Sequence, residues 1–194
     1  MSKIVDEVVA ANAAYAEGFG AKGDLAAPPA RGFLILTCMD ARLDPAKFAG
    51  LVEGDAHVLR NGGGRATDDA IRSMIISHKL LGTREWFIIQ HTECGMQTSE
   101  GKRLAVFLEE SSERAGKTNA GFQNVCVDCD ATDRHAKKEL AFDDLKKSVV
   151  DDVTRVRNHP LVNPEIPIYG YIYDVKTGKL IEVEEATAAG RPAA

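Results

Sequence analysis

Cys38, Asp40 and Arg42 occupy alternate positions at the end of FLILTCMDAR, residues 33–42, and His91 and Cys94 close WFIIQHTEC, residues 86–94. Two thiols and an imidazole are soft and borderline donors, which suit tetrahedral zinc better than magnesium or calcium. His91 and Cys94 are three positions apart, close enough to reach one ion from one turn. Three protein ligands leave a fourth position for water, the arrangement of a catalytic zinc rather than a structural one. A carboxylate beside such a water can take its proton, and an arginine can hold that carboxylate in a bidentate grip away from the metal. If the chain stays extended past Cys38, residues 38, 40 and 42 project to the same side. The bland alternatives are buried core thiols, a satisfied strand-end histidine and a salt bridge sealing a sheet edge. Two reactive clusters, each ending its own apolar run, favour the metal.

Both clusters need a scaffold that brings them together. Runs of four to six apolar, β-branched and aromatic residues bounded by polar groups read as buried strands of a parallel sheet. In an open α/β sheet the C-terminal strand edge is where ligands bind, because the connections leaving it diverge. Short strands are expected at 33–37, 56–60 and 86–90. Between them lies a glycine turn at 62–64 and a helix with Thr67 as N-cap, Asp68 and Asp69 in its first turn, and Ile71, Ile75 and Ile76 on its buried face. Asp44-Pro45 starts a short helix as cap and first-turn residue. Further helices are expected at 100–115 and 136–157, the second closed by Asn158-His159-Pro160. Residues 166–185 read as a hairpin around a KTGK turn, and 186–194 as a frayed tail. The fold class is therefore α/β: a mainly parallel central sheet flanked by helices, with an antiparallel edge hairpin at the C-terminus.

The 194 residues suffice for one buried core and are short for two domains of about 100–150 residues each, so one domain over 1–194 is expected. Residues 1–30 form a helical arm and linker: Ile4, Val8, Ala11 and Tyr15 share one helix face over 3–16, and a Gly, Ala and Pro-rich stretch follows. A helix tethered so loosely is placed to pack on a partner subunit. Residues 116–135 form an irregular insertion around Cys126 and Cys129. With a net charge of −5, nothing suggests a nucleic-acid surface. No secretory signal pattern opens the chain, and no stretch approaches the roughly 20 apolar residues of a membrane span. Four cysteines without such a signal point to reduced thiols and a cytoplasmic protein.

CMDAR at 38–42 and HTEC at 91–94, separated by RNGGG at 60–64 and a helix opening with TDDAIRS, resemble the β-class carbonic anhydrases, in their shorter prokaryotic branch. The likeness is close from about 31 to 99, and SVVDDVTRVRNHPLV and YGYIYDVKTGKL are similar to that family as well. The resemblance implies Cys38, His91 and Cys94 as zinc ligands, Asp40 and Arg42 as the catalytic dyad, and assembly as a homodimer or dimer-based homo-oligomer. Two thiolates cancel the zinc charge, so the bound water is less acidified than at a three-histidine site and needs a dedicated acceptor, Asp40. The expected reaction is reversible hydration of CO₂ to bicarbonate by zinc-bound hydroxide. Two alternatives remain: hydrolysis of carbonyl sulfide at the same site, and a non-catalytic zinc module with Asp40 on the fourth position.

RNGGG lacks the Lys-Ser/Thr of a phosphate loop; Gly62, Gly63 and Gly64 read instead as backbone passing close to the metal, where a Cβ would block a small substrate. Cys126, Cys129 and His135 offer a weaker second metal or redox reading with no fourth ligand in view. His57, His78 and His159 read as structural.

Overall fold

Why the two clusters meet is plain from the sheet. The computed structural model describes residues 2–97 and 141–192. The expected helix at 100–115, the insertion at 116–135 with Cys126, Cys129 and His135, and the first part of the helix expected at 136–157 lie outside the described residues. Five strands form one sheet: β1 (Phe33–Cys38), β2 (Ala56–Asn61), β3 (Glu85–His91), β4 (Ile168–Tyr173) and β5 (Leu180–Glu182). Their order is β2-β1-β3-β4-β5; the first four are mutually parallel and β5 runs antiparallel to β4. β1 and β3 are thus central, each flanked by a strand on either side, and FLILTC and EWFIIQH are buried over most of their length. Thr37 pairs with Ile89 and His91 with Tyr173, so Cys38 and His91 emerge at one edge.

The helices are α1 (Lys3–Glu17), α2 (Pro45–Phe48), α3 (Asp68–Lys79), α4 (Leu145–Arg157) and α5 (Glu184–Ala189). Thr67 caps α3 by accepting from the Ala70 amide, and Asp68 and Asp69 lie against its positive end. α3 and α4 cover one face of the sheet: Ile71 and Met74 from α3 and Val149, Val153 and Val156 from α4 pack with Leu34, Leu36, Trp86, Ile88 and Ile168. Each of the three α4 valines is fully buried and contributes about 1.5–3 kcal/mol. The opposite face carries a half-buried aromatic row. Phe87 stands 5.6 Å from Phe33, edge to face, and 4.9 Å from Tyr169. No helix among the described residues is long and apolar enough to cross a membrane.

Three expectations need correction or refinement. The helix expected at 136–157 starts at Leu145, because Phe142 is drawn into a bridge with Gln97 and Asp144 then accepts from the Lys147 amide as N-cap. The first part of the tail expected to fray from 186 instead belongs to α5, which runs to Ala189 and whose Ala186 is fully buried. Gly170 makes this possible: a Cβ there would lie 2.4 Å from the Ala186 Cβ, so a bare backbone lets α5 dock on β4. α1 forms as expected yet buries no residue, with Ile4, Val8 and Val9 all more than 60% exposed. Its side-chain tether is polar: Tyr15 donates to Glu53 at 3.0 Å, and Lys22 does so at 2.6 Å.

Candidate metal centre

β1 delivers Cys38 at its last position, and β3 delivers His91 at its own, with Cys94 three residues on in the following turn. Their ligand atoms all lie within 4.8 Å of one another, and all three residues are buried. The imidazole is oriented by its other nitrogen, Nδ1, which sits 2.9 Å from the Thr92 carbonyl and so carries the proton. That leaves Nε2 buried and without a hydrogen-bond partner, aimed at the two sulfurs. A buried nitrogen with a free lone pair is costly unless something takes it up. Together with two soft sulfur donors, this fits a zinc ion better than any hard cation.

The thiols respond to each other first. A hydrogen bond from Cys94, helped by His91 and by the amide of Asp40 at 3.4 Å from the sulfur, lowers the Cys38 thiol, while Cys38 and burial push Cys94 up. The two thiols thus titrate as a pair, and a bound metal would displace their protons. Leu43, Phe142, Phe48, Met96 and Tyr173 pack around the sulfurs, giving the centre an apolar wall.

The condition of an extended chain past Cys38 is not met; the chain turns, with the Leu43 amide bonded to the Asp40 carbonyl at 3.0 Å. The turn still joins Asp40 to Arg42. Asp40 Oδ1 accepts from the Arg42 amide at 2.9 Å and from Nε at 3.0 Å, and Oδ2 accepts from Nη2 at 2.7 Å. These bonds to Arg42 hold the Asp40 carboxyl well below the usual carboxylate range. Oδ2 sits 3.8 Å from His91 Nε2, beside the cluster.

Gly62, Gly63 and Gly64 form a 3-10 turn against this edge. Gly64, at φ 65°, packs against backbone: a Cβ would lie 2.9 Å from the Cys38 nitrogen and the Thr37 carbonyl carbon, and 3.1 Å from the Ile89 oxygen. Gly63, at φ 81°, faces Met96. His57, His78 and His159 bond to Ser77, Thr83 and the Leu161 amide, away from the cluster.

A carbonic anhydrase family model matches residues 33–180. The chain belongs to the β-carbonic anhydrase family. It is 38% identical over 180 residues to β-carbonic anhydrase 1 of Mycobacterium tuberculosis, covering 93% of this chain and 98% of that one. It is also 34% identical over 158 residues to a carbon disulfide hydrolase of Saccharolobus solfataricus, covering 79% and 78%. Among solved structures, a carbonic anhydrase from Glaciozyma antarctica matches with a TM-score of 0.73 at 42% identity, over 94% of this chain and 99% of that one.

Several residues that brace this β-carbonic anhydrase centre carry no mark in the sequence. Arg60 donates to the carbonyls of Cys38 at 3.0 Å and Asp40 at 2.7 Å, fastening the turn between ligand and carboxylate. Asp152 of α4, 3% exposed, accepts from Arg65 at 2.8 Å, the Ala66 amide at 3.1 Å and Gln90 at 2.9 Å. It ties the glycine turn and the end of β3 to the helix layer. Glu93 reaches Arg42 from the second cluster.

Proposed function

We propose that the protein catalyses reversible hydration of CO₂ to bicarbonate with zinc held by Cys38, His91 and Cys94. The observation that carries this reading is the Asp40 carboxylate, gripped by Arg42 and lying 3.8 Å from the unpartnered His91 Nε2. Zinc in this site would acidify a water and so supply the nucleophile for a small electrophilic carbon. Asp40 takes the water's proton at Oδ2, the oxygen nearer His91. Arg42 holds the carboxylate turned to that task instead of toward the metal. The apolar wall of Leu43, Phe48, Met96 and Phe142 suits a linear, nonpolar substrate and keeps bulk water from competing. Gly63 leaves room where a side chain would crowd Met96 and Arg65.

Similarity to carbon disulfide hydrolases favours a second reading on the same residues, hydrolysis of carbonyl sulfide or carbon disulfide, both linear analogues of CO₂. A non-catalytic zinc module would need Asp40 on the metal, and its bonds to Arg42 oppose that. Stopped-flow measurement of CO₂ hydration, side by side with H₂S release from the two sulfur substrates by zinc-loaded protein, decides the matter. Fast hydration with negligible H₂S supports the first reading, the reverse supports the second, and neither activity supports the module.

The assembly we propose is a homodimer or a dimer-based oligomer. α1 buries nothing within its own chain, and the sheet face around Phe33, Phe87, Tyr169 and Tyr171 is only partly covered. A cytoplasmic setting accords with the free thiols of Cys38 and Cys94.

A further inference from the structure

Glu93 lies between His91 and Cys94, two of the three metal-capable residues. It is the one non-glycine residue with positive φ, 54°, among the described residues, a conformation that side chains other than glycine rarely adopt. Strain of this kind at a site persists when surrounding contacts hold it there. The contacts here are to Arg42. The Glu93 carbonyl accepts from Arg42 Nη2 at 3.0 Å, and its Oε2 lies 3.5 Å from Nη1. The other carboxylate oxygen, Oε1, is 2.6 Å from Lys176 Nζ in the turn between β4 and β5. Asp174 braces that turn by accepting from the Lys176 amide and the Thr177 hydroxyl, both at 2.9 Å.

Arg42 divides its donors. Nε and one hydrogen of Nη2 serve Asp40; Nη1 and the second hydrogen of Nη2 serve Glu93. A guanidinium is a rigid planar fork, so fixing the Glu93 edge fixes the edge offered to Asp40. Arg42 is 47% exposed, and at that exposure a single ion pair holds a long side chain only weakly. A backbone acceptor adds restraint without ordering another side chain.

We propose that Glu93 is a positioning residue for the Asp40–Arg42 pair, holding Arg42 by carbonyl and carboxylate while Lys176 anchors that carboxylate to the β4–β5 turn. This rests on the reading of Asp40 and Arg42 as the catalytic pair. Glu93 touches no substrate; it acts through Arg42.

The test uses full-length zinc-loaded protein with Glu93→Gly, Glu93→Gln, Arg42→Ala and the Glu93→Gly/Arg42→Ala double variant. Glycine accepts the left-handed backbone, keeps the carbonyl that faces Arg42 and removes the whole side chain with its carboxylate, so the turn is preserved. Both Glu93 variants should lower kcat about two- to fivefold, the size of an exposed charged contact, with KM and zinc content unchanged. In the Arg42→Ala background Glu93→Gly should change nothing more, since the two act as one unit. Crystal structures of Glu93→Gly, with and without metal, should show Arg42 released from its two-oxygen hold on Asp40. Full kcat in both Glu93 variants beside a slow Arg42→Ala overturns the proposal and leaves the catalytic pair standing. An equal loss in both backgrounds, or an unmoved Arg42, also overturns it, because Glu93 would then merely support its own turn. Normal turnover by Arg42→Ala removes the catalytic pair and the proposal together.

Discussion

Replacing Gly64 by alanine adds one methyl group where the site has no room. The new Cβ would stand 2.9 Å from the Cys38 nitrogen and the Thr37 carbonyl carbon and 3.1 Å from the Ile89 oxygen. All three are backbone atoms of the two central strands, so no side chain can swing aside. Overpacking of this kind costs about 1–3 kcal/mol. The left-handed φ of 65° costs alanine a further 1–2 kcal/mol or so. Against this, the stiffer unfolded chain returns about 0.4–1 kcal/mol. The net loss is about 1–4.6 kcal/mol, which for a chain of this length lowers Tm by about 2–18 °C. Gly32→Ala is the control: its φ is 66°, but nothing lies within 4 Å of the new Cβ, so it isolates the backbone cost from the clash. Thermal unfolding of metal-free protein and competition titration with a zinc chelator read both effects. Gly64→Ala should also bind zinc more weakly, because relieving the clash shifts Cys38. A Gly64→Ala protein with the Tm and zinc affinity of Gly32→Ala would refute the close approach of this turn to β1.

Cys94→Ala should lose most of its bound zinc by metal analysis, and full retention would remove Cys94 from the ligand set. Arg42→Ala should keep its zinc and lose at least about tenfold in kcat, the low end of what a misplaced proton acceptor costs or below it. Losing Arg42 lets the Asp40 carboxyl rise toward its ordinary value of about 3.9, so it stays ionised at neutral pH and the defect should not be one of charge. The Asp40 carboxyl is depressed in the native protein and therefore charged above its lowered value, so wild-type activity that climbs from neutral to alkaline pH must follow another group. A stopped-flow rate that is flat over that range would contradict a two-thiolate centre with a weakly acidified water. Removing residues 1–20 should give monomers or aggregates in sedimentation, and an unchanged active oligomer would show that α1 does not dock across subunits.

The metal-capable residues and the strands carrying them were legible because their signals are local. A buried parallel strand must be apolar along its length, so FLILTC and WFIIQ announce themselves, and the first polar residues after each run must fall at the sheet edge. Capping is equally local: Thr67 and Asp44 each accept from an amide three residues on. The start of α4 was misread because the same apolar spacing continues upstream, while the pairing of Phe142 with Gln97, 45 positions earlier, pulls 141–144 out of helix. α5 was missed because an alanine-rich tail gains helical order only by docking, and the room for Ala186 is made by the absent side chain of Gly170 in another element.

The sequence by itself determined which side chains can hold a soft metal ion, and that two strands deliver them to one edge, since ligand chemistry and strand burial are written in residue type and short spacing. Only the tertiary structure decided what holds that edge in place. Asp152 meets Arg65 across 87 positions, Arg60 reaches back to the turn after Cys38, and the left-handed Glu93 offers its carbonyl to Arg42. Such contacts depend on where the folded backbone brings distant groups within about 3 Å, and no local pattern encodes that distance.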